Sequence, residues 1–235
     1  TLNVPWVVHI SCRLQYRHIQ RAILHVLERH QILRTTYPHL QIAQTVMPND
    51  AIDIARFWMD STAPDYSSAM SMVEAHANHS IDLGAGPLMR VLLVHVSDDE
   101  HVLLVNTHHI ATDEWSINLL CGEIGSAYTA YVEGREPDMP ALSVQYSDYA
   151  RWQREWLDAD GGAERLRQLA YWREQLAGAP LVLDLPTDYP RPAVQSHEGG
   201  SVSCVIDRST VETIRALASS CGVSLFSCLL STWFM

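Results

Sequence analysis

Two apolar segments separated by three acidic residues constrain the fold of this chain more than any other feature of its sequence. Residues 88–97 and 101–107 consist largely of Val and Leu, and Asp98, Asp99 and Glu100 lie between them. A short apolar run bounded by a polar turn is typical of a strand, and continuous apolar content indicates burial on both faces. The sequence therefore predicts two adjacent central strands in a sheet that helices cover.

Apolar residues at helical spacing flank these strands. Ile19, Ile23, Val26 and Leu27 recur three or four positions apart, which predicts an amphipathic helix over residues 16–30. With the central strands, this pattern places the chain in the α/β class, as a mixed sheet backed by helices. The remaining predicted elements are strands at 4–10 and 201–206, a hairpin formed by 34–37 and 41–47, and helices at 66–79, 116–133, 146–177 (interrupted at 160–162), 210–220 and 224–235.

A segment rich in proline and glycine divides the chain. Residues 178–200 contain four prolines and three glycines, a composition typical of a linker or a crossing loop. We therefore expect an N-terminal unit at residues 1–177, a linker or crossing loop at 178–200, and the start of a second, truncated unit at 201–235.

Charge and cysteine content exclude several functional classes. The net charge of −11 argues against nucleic acid or an anionic membrane as a partner. The sequence contains no run of about 18 apolar residues, the length that a transmembrane helix needs. Its five cysteines form no CxxC pair, so neither a disulfide framework nor a zinc knuckle is expected. These features predict reduced thiols and a cytoplasmic location.

A histidine pair directly follows the second central strand. Asp113 comes four residues after His109, the second histidine of the pair His108-His109. Loops that follow strands can present catalytic side chains to a cleft while the backbone stays rigid. Adjacent residues of a strand face opposite ways, so one imidazole can reach a cleft while the other points into the protein. With an ordinary pKa of about 6.5, histidine transfers protons near neutrality.

From these residues alone, several interpretations stay open. The histidines are equally consistent with satisfied core residues, and Asp113 with either a general base or a structural partner. Ser116, with Glu114 and Trp115, is a candidate cap of the helix that follows. Adjacent histidines do not chelate a metal as an i, i+4 helical pair does, so no metal site is expected. The sequence lacks a GxSxG hydrolase motif and the pattern of a phosphate-binding glycine loop.

Four segments, in order along the chain, resemble the motifs of one family. Residues 108–113 match the HHxxxD part of an HHxxxDG signature. Residues 29–37 (RHQILRTTY) resemble RHExLRTxF, and residues 146–152 (YSDYARW) resemble YxDFAxW. Residues 171–192 resemble a YW…LPTDxPRP passage. In this combination the sequence resembles the condensation domains of nonribosomal peptide synthetases, which belong to the chloramphenicol acetyltransferase-like superfamily.

The resemblance implies a chloramphenicol acetyltransferase-like lobe, the N-terminal half of a two-lobed, V-shaped domain. Residues 1–177 would form the N-terminal lobe with the HHxxxD loop, and residues 201–235 would begin the C-terminal lobe. Because the active site of this family lies in a tunnel between two lobes, the chain is predicted to be an excerpt that is inactive by itself.

The resemblance also implies a reaction and its partners. A donor acyl or peptidyl thioester and an acceptor aminoacyl thioester, each tethered to a carrier domain by phosphopantetheine, would be joined by a peptide bond. The expected partners are donor and acceptor peptidyl carrier domains and an adenylation domain of the same assembly line, in the biosynthesis of antibiotics and other secondary metabolites. No cofactor is expected to bind directly, because the carrier domains supply the phosphopantetheine arms.

Roles for the residues of the HHxxxD loop follow from the same resemblance. His109 is the catalytic candidate, which would orient the acceptor amine, take its proton or stabilise the oxyanion. We expect His109 to face the cleft, and His108 to be structural and to point into the protein. Glu114, which stands where the family has Gly, and Ser116 are supporting members of the motif.

Asp113 is expected to form a buried ion pair that fixes the loop, with Arg29 or Arg34 as its partner. A guanidinium fork can satisfy a buried carboxylate through two hydrogen bonds. Loss of either partner would leave the other charge buried and unpaired.

The resemblance leaves two alternatives to peptide-bond formation. One is a catalytically idle domain that docks carrier domains or a tailoring enzyme, and the other is a different thioester-dependent acyltransferase of the superfamily. The intact histidine pair argues against heterocyclisation domains, which carry an Asp-x4-Asp pattern. Trp115 precedes Ser116, whereas epimerisation domains place Trp after the Ser. Glu114 is shared with non-catalytic, oxygenase-recruiting relatives whose motif resembles HRxxxDE, but these lack the second histidine.

Overall fold

The computed structural model describes residues 2–38, 43–182, 184–194, 196, 199–200 and 202–234. The chain divides into two compact units, Thr1–Ala177 and Gly178–Met235, and each is described by itself. The division falls where the segment rich in proline and glycine begins.

The first unit contains a mixed four-stranded sheet and a separate two-stranded one. In chain order its elements are β1 (Asn3–Ile10), α1 (Tyr16–Arg29), β2 (Thr35–Thr36), β3 (Thr45–Val46), α2 (Ile54–Phe57), β4 (Trp58–Thr62), α3 (Tyr66–Ala77), β5 (Met89–Ser97), β6 (Glu100–His108), α4 (Glu114–Val132) and α5 (Tyr146–Gln175). The strand order of the larger sheet is β1-β6-β5-β4. β6 is antiparallel to both β1 and β5, and β4 is parallel to β5.

The two predicted central strands are confirmed as β5 and β6, and both of their faces are buried. Successive side chains of a strand face opposite sides of the sheet. Val91 and Leu93 accordingly join the core formed with α1 and α4, whereas Leu92 and Val94 join a second core with α3. Helices therefore cover both faces of the central strands, which explains why their sequence is continuously apolar.

The predicted amphipathic helix is confirmed as α1. Its residues Ile23, Val26 and Leu27 are fully buried, in the same core cluster as Leu120 and Ile124 of α4. Burying a side chain of this size stabilises the fold by about 1.5–3 kcal/mol. These two helices therefore pack against one face of the sheet, and this packing fixes the position of the loop that precedes α4.

Two turn predictions are confirmed by the backbone. β2 pairs with β3 as a hairpin, although residues 39–42 of the predicted hairpin segment lie outside the described residues. α5 is interrupted at Asp160, Gly161 and Gly162, whose φ values are 50°, 69° and 79°. Glycine adopts such left-handed values without a Cβ clash, which explains why the break falls there.

The described residues of the second unit include two α-helices, α6 (Arg208–Ser220) and α7 (Leu225–Ser231), which were both predicted. The strand predicted at 201–206 is wrong for its described residues 202–206, which form no regular element. A strand needs a neighbour for its backbone hydrogen bonds, and the described part of this unit contains no other strand.

Among the described residues, no single helix has the length and apolar content to cross a membrane. The pair formed by Arg208–Ser220 and Leu225–Phe234, bent by 102°, meets that criterion only jointly, by length and composition alone.

Candidate functional site

Backbone hydrogen bonds hold the segment between β6 and α4 at the end of the sheet. The N–H of His109 donates to the carbonyl of Leu2 at 2.8 Å, and the N–H of His108 donates to the carbonyl of Leu88 at 3.1 Å. The N–H of Ala111 closes a turn onto the carbonyl of His108 at 2.9 Å. The loop is thus tied to the residues just before β1 and β5, and its side chains emerge from a fixed backbone.

His108 is half-buried at the end of β6. Its Nδ1 accepts a hydrogen bond from the N–H of Ile110 at 3.0 Å, so the neutral ring carries its proton on Nε2. Burial, and then the neighbouring His109, lower the pKa of His108 below its usual value, because both disfavour the charged ring. His108 is therefore held in its neutral form and stabilises the loop.

His109 is exposed, and one hydrogen bond determines which of its ring nitrogens is protonated. Its Nδ1 lies 2.9 Å from the carbonyl oxygen of Thr112. A carbonyl oxygen only accepts, so Nδ1 carries the proton and the lone pair of the neutral ring is on Nε2. An exposed imidazole with this lone pair can accept a proton from a bound substrate.

Asp113 is the N-cap of α4. Its Oδ1 accepts from the hydroxyl of Ser116 at 2.6 Å and from the N–H of Ser116 at 2.8 Å. These two hydrogen bonds lower the pKa of Asp113, because they favour the charged carboxylate. The predicted cap at Ser116 is therefore wrong, because Asp113 is the cap; the helix predicted from about Ser116 is confirmed and begins two residues earlier, at Glu114.

The predicted ion pair between Asp113 and Arg29 or Arg34 is also wrong. Asp113 is exposed, and its described hydrogen bonds go to Ser116. Arg29 instead donates from Nε to Oε1 of Glu123 at 3.1 Å, and Arg34 donates to two backbone carbonyls. A carboxylate that caps an exposed helix start points along that helix and does not reach into the core where Arg34 lies.

Glu123 of α4 is the acidic partner that the sequence analysis missed. Its Oε2 lies 2.6 Å from Nε2 of His30, and its Oε1 binds Arg29. All three side chains are only 13–14% exposed. The sequence contains a usable signal, because Glu123 is the sole charged residue between 115 and 132. A lone charge on the packed face of a helix needs a buried partner.

Two large side chains next to the loop extend into solvent. Glu114 is exposed at the first position of α4, and Trp115 is 86% exposed. Across the described ranges, no group of three or more His, Cys, Asp or Glu side chains is arranged to hold a metal ion. The loop thus offers one exposed imidazole, that of His109, and two exposed carboxylates, those of Asp113 and Glu114.

Comparison with known proteins identifies the family. The family model described as Condensation domain matches residues 1–235. Malpinin synthetase of Mortierella alpina is 33% identical over 235 residues, which cover 99% of this chain and 3% of the synthetase. The dimodular nonribosomal peptide synthase of Bacillus subtilis is 36% identical over 233 residues, which cover 98% of this chain and 10% of the synthase. The chain thus spans a small part of these relatives.

The fold is similar to that of a solved domain. The X-domain from teicoplanin biosynthesis matches with a TM-score of 0.81 and 27% identity, over 94% of this chain and 49% of that domain's chain; this X-domain has also been solved in a complex with OxyB. The similarity confirms the predicted mixed α/β fold of the chloramphenicol acetyltransferase-like type. With a family model that matches its whole length, this chain belongs to the condensation domain family.

Proposed function

We propose that the domain forms a peptide bond between a donor acyl or peptidyl thioester and an acceptor aminoacyl thioester. Both substrates are delivered on phosphopantetheine arms of carrier domains. The observation that carries this proposal is the exposed imidazole of His109, whose Nε2 lone pair is set by the hydrogen bond from Nδ1 to the carbonyl of Thr112. The likeness to a nonribosomal peptide synthase supports it.

The reaction balances without a bound cofactor. The nitrogen of the acceptor amine attacks the donor thioester carbonyl, a C–N bond forms, and the C–S bond breaks. The proton of the amine moves to Nε2 of His109 and from there to the departing thiolate. The donor arm is left as a free thiol, the acceptor arm carries the lengthened peptide, and the imidazole is neutral again.

The side chains of the domain need to lower the activation barrier of this reaction only modestly. A thioester is an activated acyl group, and an α-amine with a pKa of about 8 is partly neutral at working pH. Tethering of both substrates lowers the barrier by several kcal/mol, because it brings the reacting groups together. Well-oriented intramolecular reactions gain up to about 7–11 kcal/mol in this way. Proton transfer by His109 then contributes a factor of roughly 10² to 10⁴.

The charges around His109 fit this role. The pKa of Asp113 is lowered by its hydrogen bonds to Ser116 and also by His109, so the exposed carboxylate of Asp113 lies within electrostatic reach of the imidazolium that forms when His109 takes a proton. The pKa of His108 is lowered by burial and by His109, so the adjacent ring stays neutral. A neutral His108 does not repel the proton that His109 receives.

The proposed partners follow from the reaction. They are donor and acceptor peptidyl carrier domains and an adenylation domain of the same assembly line, in a cytoplasmic synthetase. Because the chain spans 3% and 10% of the two relatives above, the proposed turnover belongs to the longer protein and not to these 235 residues alone.

A second candidate function is a catalytically idle docking domain. It is favoured by one residue, Glu114, at the position where the family signature has Gly, and by the likeness to an X-domain that was solved with OxyB. In that case the exposed surface around Trp115 would bind a tailoring enzyme or a carrier domain, and His109 would transfer no proton.

Single-turnover assays of the intact synthetase separate the two functions. Donor and acceptor carriers are loaded, and the peptide on the acceptor arm is measured by mass spectrometry, for wild type and for His109→Ala. Peptide formation by wild type that collapses in the variant supports the condensation proposal. Loaded carriers that give no peptide with wild type, together with tight binding of a co-encoded tailoring enzyme, would establish the docking role instead.

A further inference from the structure

Two threonine hydroxyls close the loop that carries His109. Oγ1 of Thr107, in β6, lies 2.5 Å from Oγ1 of Thr112, which directly precedes the cap of α4. Thr107 is 0% exposed and Thr112 is 5% exposed. We call this pair the threonine clasp. It joins the end of a rigid strand to the start of a rigid helix, across the four residues that lie between them.

The clasp acts on the same residue whose carbonyl holds His109. The carbonyl of Thr112 accepts the hydrogen bond from Nδ1 of His109 at 2.9 Å, while its side chain is held by Thr107 at 2.5 Å. Each hydroxyl also has a backbone carbonyl within reach, that of Val4 at 3.4 Å for Thr107 and that of His108 at 3.5 Å for Thr112. Either hydroxyl can therefore donate within the clasp while the other donates to the backbone.

We propose that Thr107 and Thr112 are positioning residues for His109. The clasp fixes the carbonyl of Thr112, and this carbonyl fixes both the direction of the imidazole and the nitrogen that carries its proton. The inference rests on the proposed function, because a positioned proton acceptor matters only if His109 transfers a proton. Neither threonine touches the substrate in this proposal, and both act through His109.

Substitution by valine separates positioning from stability. Valine has nearly the shape of threonine, so Thr112→Val removes one hydroxyl and leaves that of Thr107 buried with only the carbonyl of Val4 at 3.4 Å, which lowers stability. The double variant Thr107→Val/Thr112→Val replaces both hydroxyls with apolar groups of the same shape, which is nearly neutral for stability. The double variant should thus melt close to wild type and still lack the bond that holds the Thr112 carbonyl.

The experiment measures two quantities for each variant of the intact synthetase. These are the single-turnover rate of peptide formation at saturating carrier concentration and the carrier concentration that gives half the maximal rate. We expect Thr112→Val and the double variant to lower the rate roughly tenfold to hundredfold, as small misplacements of catalytic groups do. The half-saturating concentration should not change, and Thr112→Ser, which keeps the hydroxyl, should restore most of the rate.

A matched control and a double-mutant cycle make the outcome decisive. Thr35→Val removes another buried hydroxyl, which donates to the carbonyl of Gln31 at 2.8 Å and not to a residue of the loop; it should lower the melting temperature but not the rate. If the clasp acts through His109, then Thr112→Val should have no further effect in a His109→Ala background.

Each outcome of the cycle is informative. An unchanged rate in the double variant, or an equal loss with and without His109, overturns the clasp while the proposed function stands. A His109→Ala rate close to wild type removes His109 as the proton acceptor and the clasp with it, while peptide formation itself stands; only loaded carriers that give no peptide with wild type would remove the proposed function.

Discussion

Arg29 on α1 and Glu123 on α4 form an ion pair whose side chains are 13% and 14% exposed, with 3.1 Å between Nε and Oε1. The same carboxylate lies 2.6 Å from Nε2 of His30. Gln145, the N-cap of α5, donates to the carbonyl of Arg29 and accepts from the N–H of Gln31. The segment that resembles RHExLRTxF thus joins α1, α4 and the start of α5, and it stabilises the packing of these three helices.

The first prediction concerns the stability that this ion pair provides. Glu123→Ala leaves the guanidinium of Arg29 and the ring of His30 nearly buried without their acceptor. We expect a loss of about 3–5 kcal/mol in the free energy of unfolding, the usual result of removing one member of a buried pair. Denaturant unfolding of the intact protein measures this change.

An exposed ion pair at the C-terminal end of α4 provides the control for Glu123, which lies in the middle of the same helix. Glu133 and Arg135 are 52% and 54% exposed, and exposed pairs contribute about 0–1 kcal/mol. Glu133→Ala should therefore change stability little. Equal effects of the two substitutions would show that burial of the Glu123 pair is not what stabilises the lobe.

The second prediction concerns Asp113 as a helix cap. Asp113→Ala removes the acceptor for the N–H of Ser116 and should lower the melting temperature by a few degrees, whereas Asp113→Asn keeps a capping acceptor and should lose less. An equal loss in Asn and in Ala would mean that the charge, and not the capping acceptor, is what the loop needs.

The pH dependence of the same cap has a definite sign. The hydrogen bonds from Ser116 lower the pKa of Asp113 in the folded state, so its contribution is complete above the unfolded-state pKa of about 3.9. The contribution is lost as pH falls through the lower folded-state pKa. The difference in melting temperature between wild type and Asp113→Ala should accordingly shrink only in strongly acidic buffer.

The third prediction gives the size of the catalytic effect. In the intact synthetase, His109→Ala should slow peptide formation by roughly 10² to 10⁴, the usual contribution of acid–base or oxyanion assistance. His79, another exposed histidine, serves as the control, and His79→Ala should keep the wild-type rate. A His109→Ala rate within a few-fold of wild type would reduce His109 to scaffolding and leave substrate positioning as the whole mechanism.

The fourth prediction concerns a buried histidine of β6, His101, which lies far from the loop and contacts a second histidine. His101 is 4% exposed, and its Nδ1 lies 3.0 Å from Nδ1 of His95 on β5. Burial is the main cause of its lowered pKa, His95 adds to it, and Asp98 and Asp99 oppose it. The unfolded chain therefore binds more protons than the folded one as the pH falls below the ordinary histidine value of about 6.5.

Stability should thus fall as the pH drops below about 6.5, and His101→Phe should weaken that dependence. Urea midpoints of wild type and variant, measured from about pH 7 to about pH 5, test the sign. The slope should not vanish, because the pKa of His108 is lowered in the same direction. Parallel pH profiles for the two proteins would exclude His101 as the source.

The central strands and the first helix could be predicted because their signals are local. The continuous Val and Leu content of 88–97 and 101–107 required cover on both faces, and the helical spacing of Ile19 to Leu27 required one buried stripe. β4 (Trp58–Thr62) was missed, because its residues alternate poorly and it exists only by parallel pairing with β5, some 30 residues away. The prediction of a strand at 201–206 was wrong for the opposite reason: the local pattern was present, but the described residues of the second unit provide no neighbouring strand to pair with it.

The sequence by itself determined where the candidate loop lies, since a histidine pair after a buried strand and before a helix is a local pattern of neighbouring residues. Tertiary structure alone decided which groups meet there. Arg29 pairs with Glu123, 94 residues away, and not with Asp113, because the packing of α1 against α4 buries both charges together. Asp113 instead caps the start of α4. The proton on Nδ1 of His109 was likewise decided by a backbone carbonyl, that of Thr112. Every residue has a backbone carbonyl. The carbonyl of Thr112 is therefore distinguished by its position in the fold and not by its residue type, and the sequence alone does not reveal it.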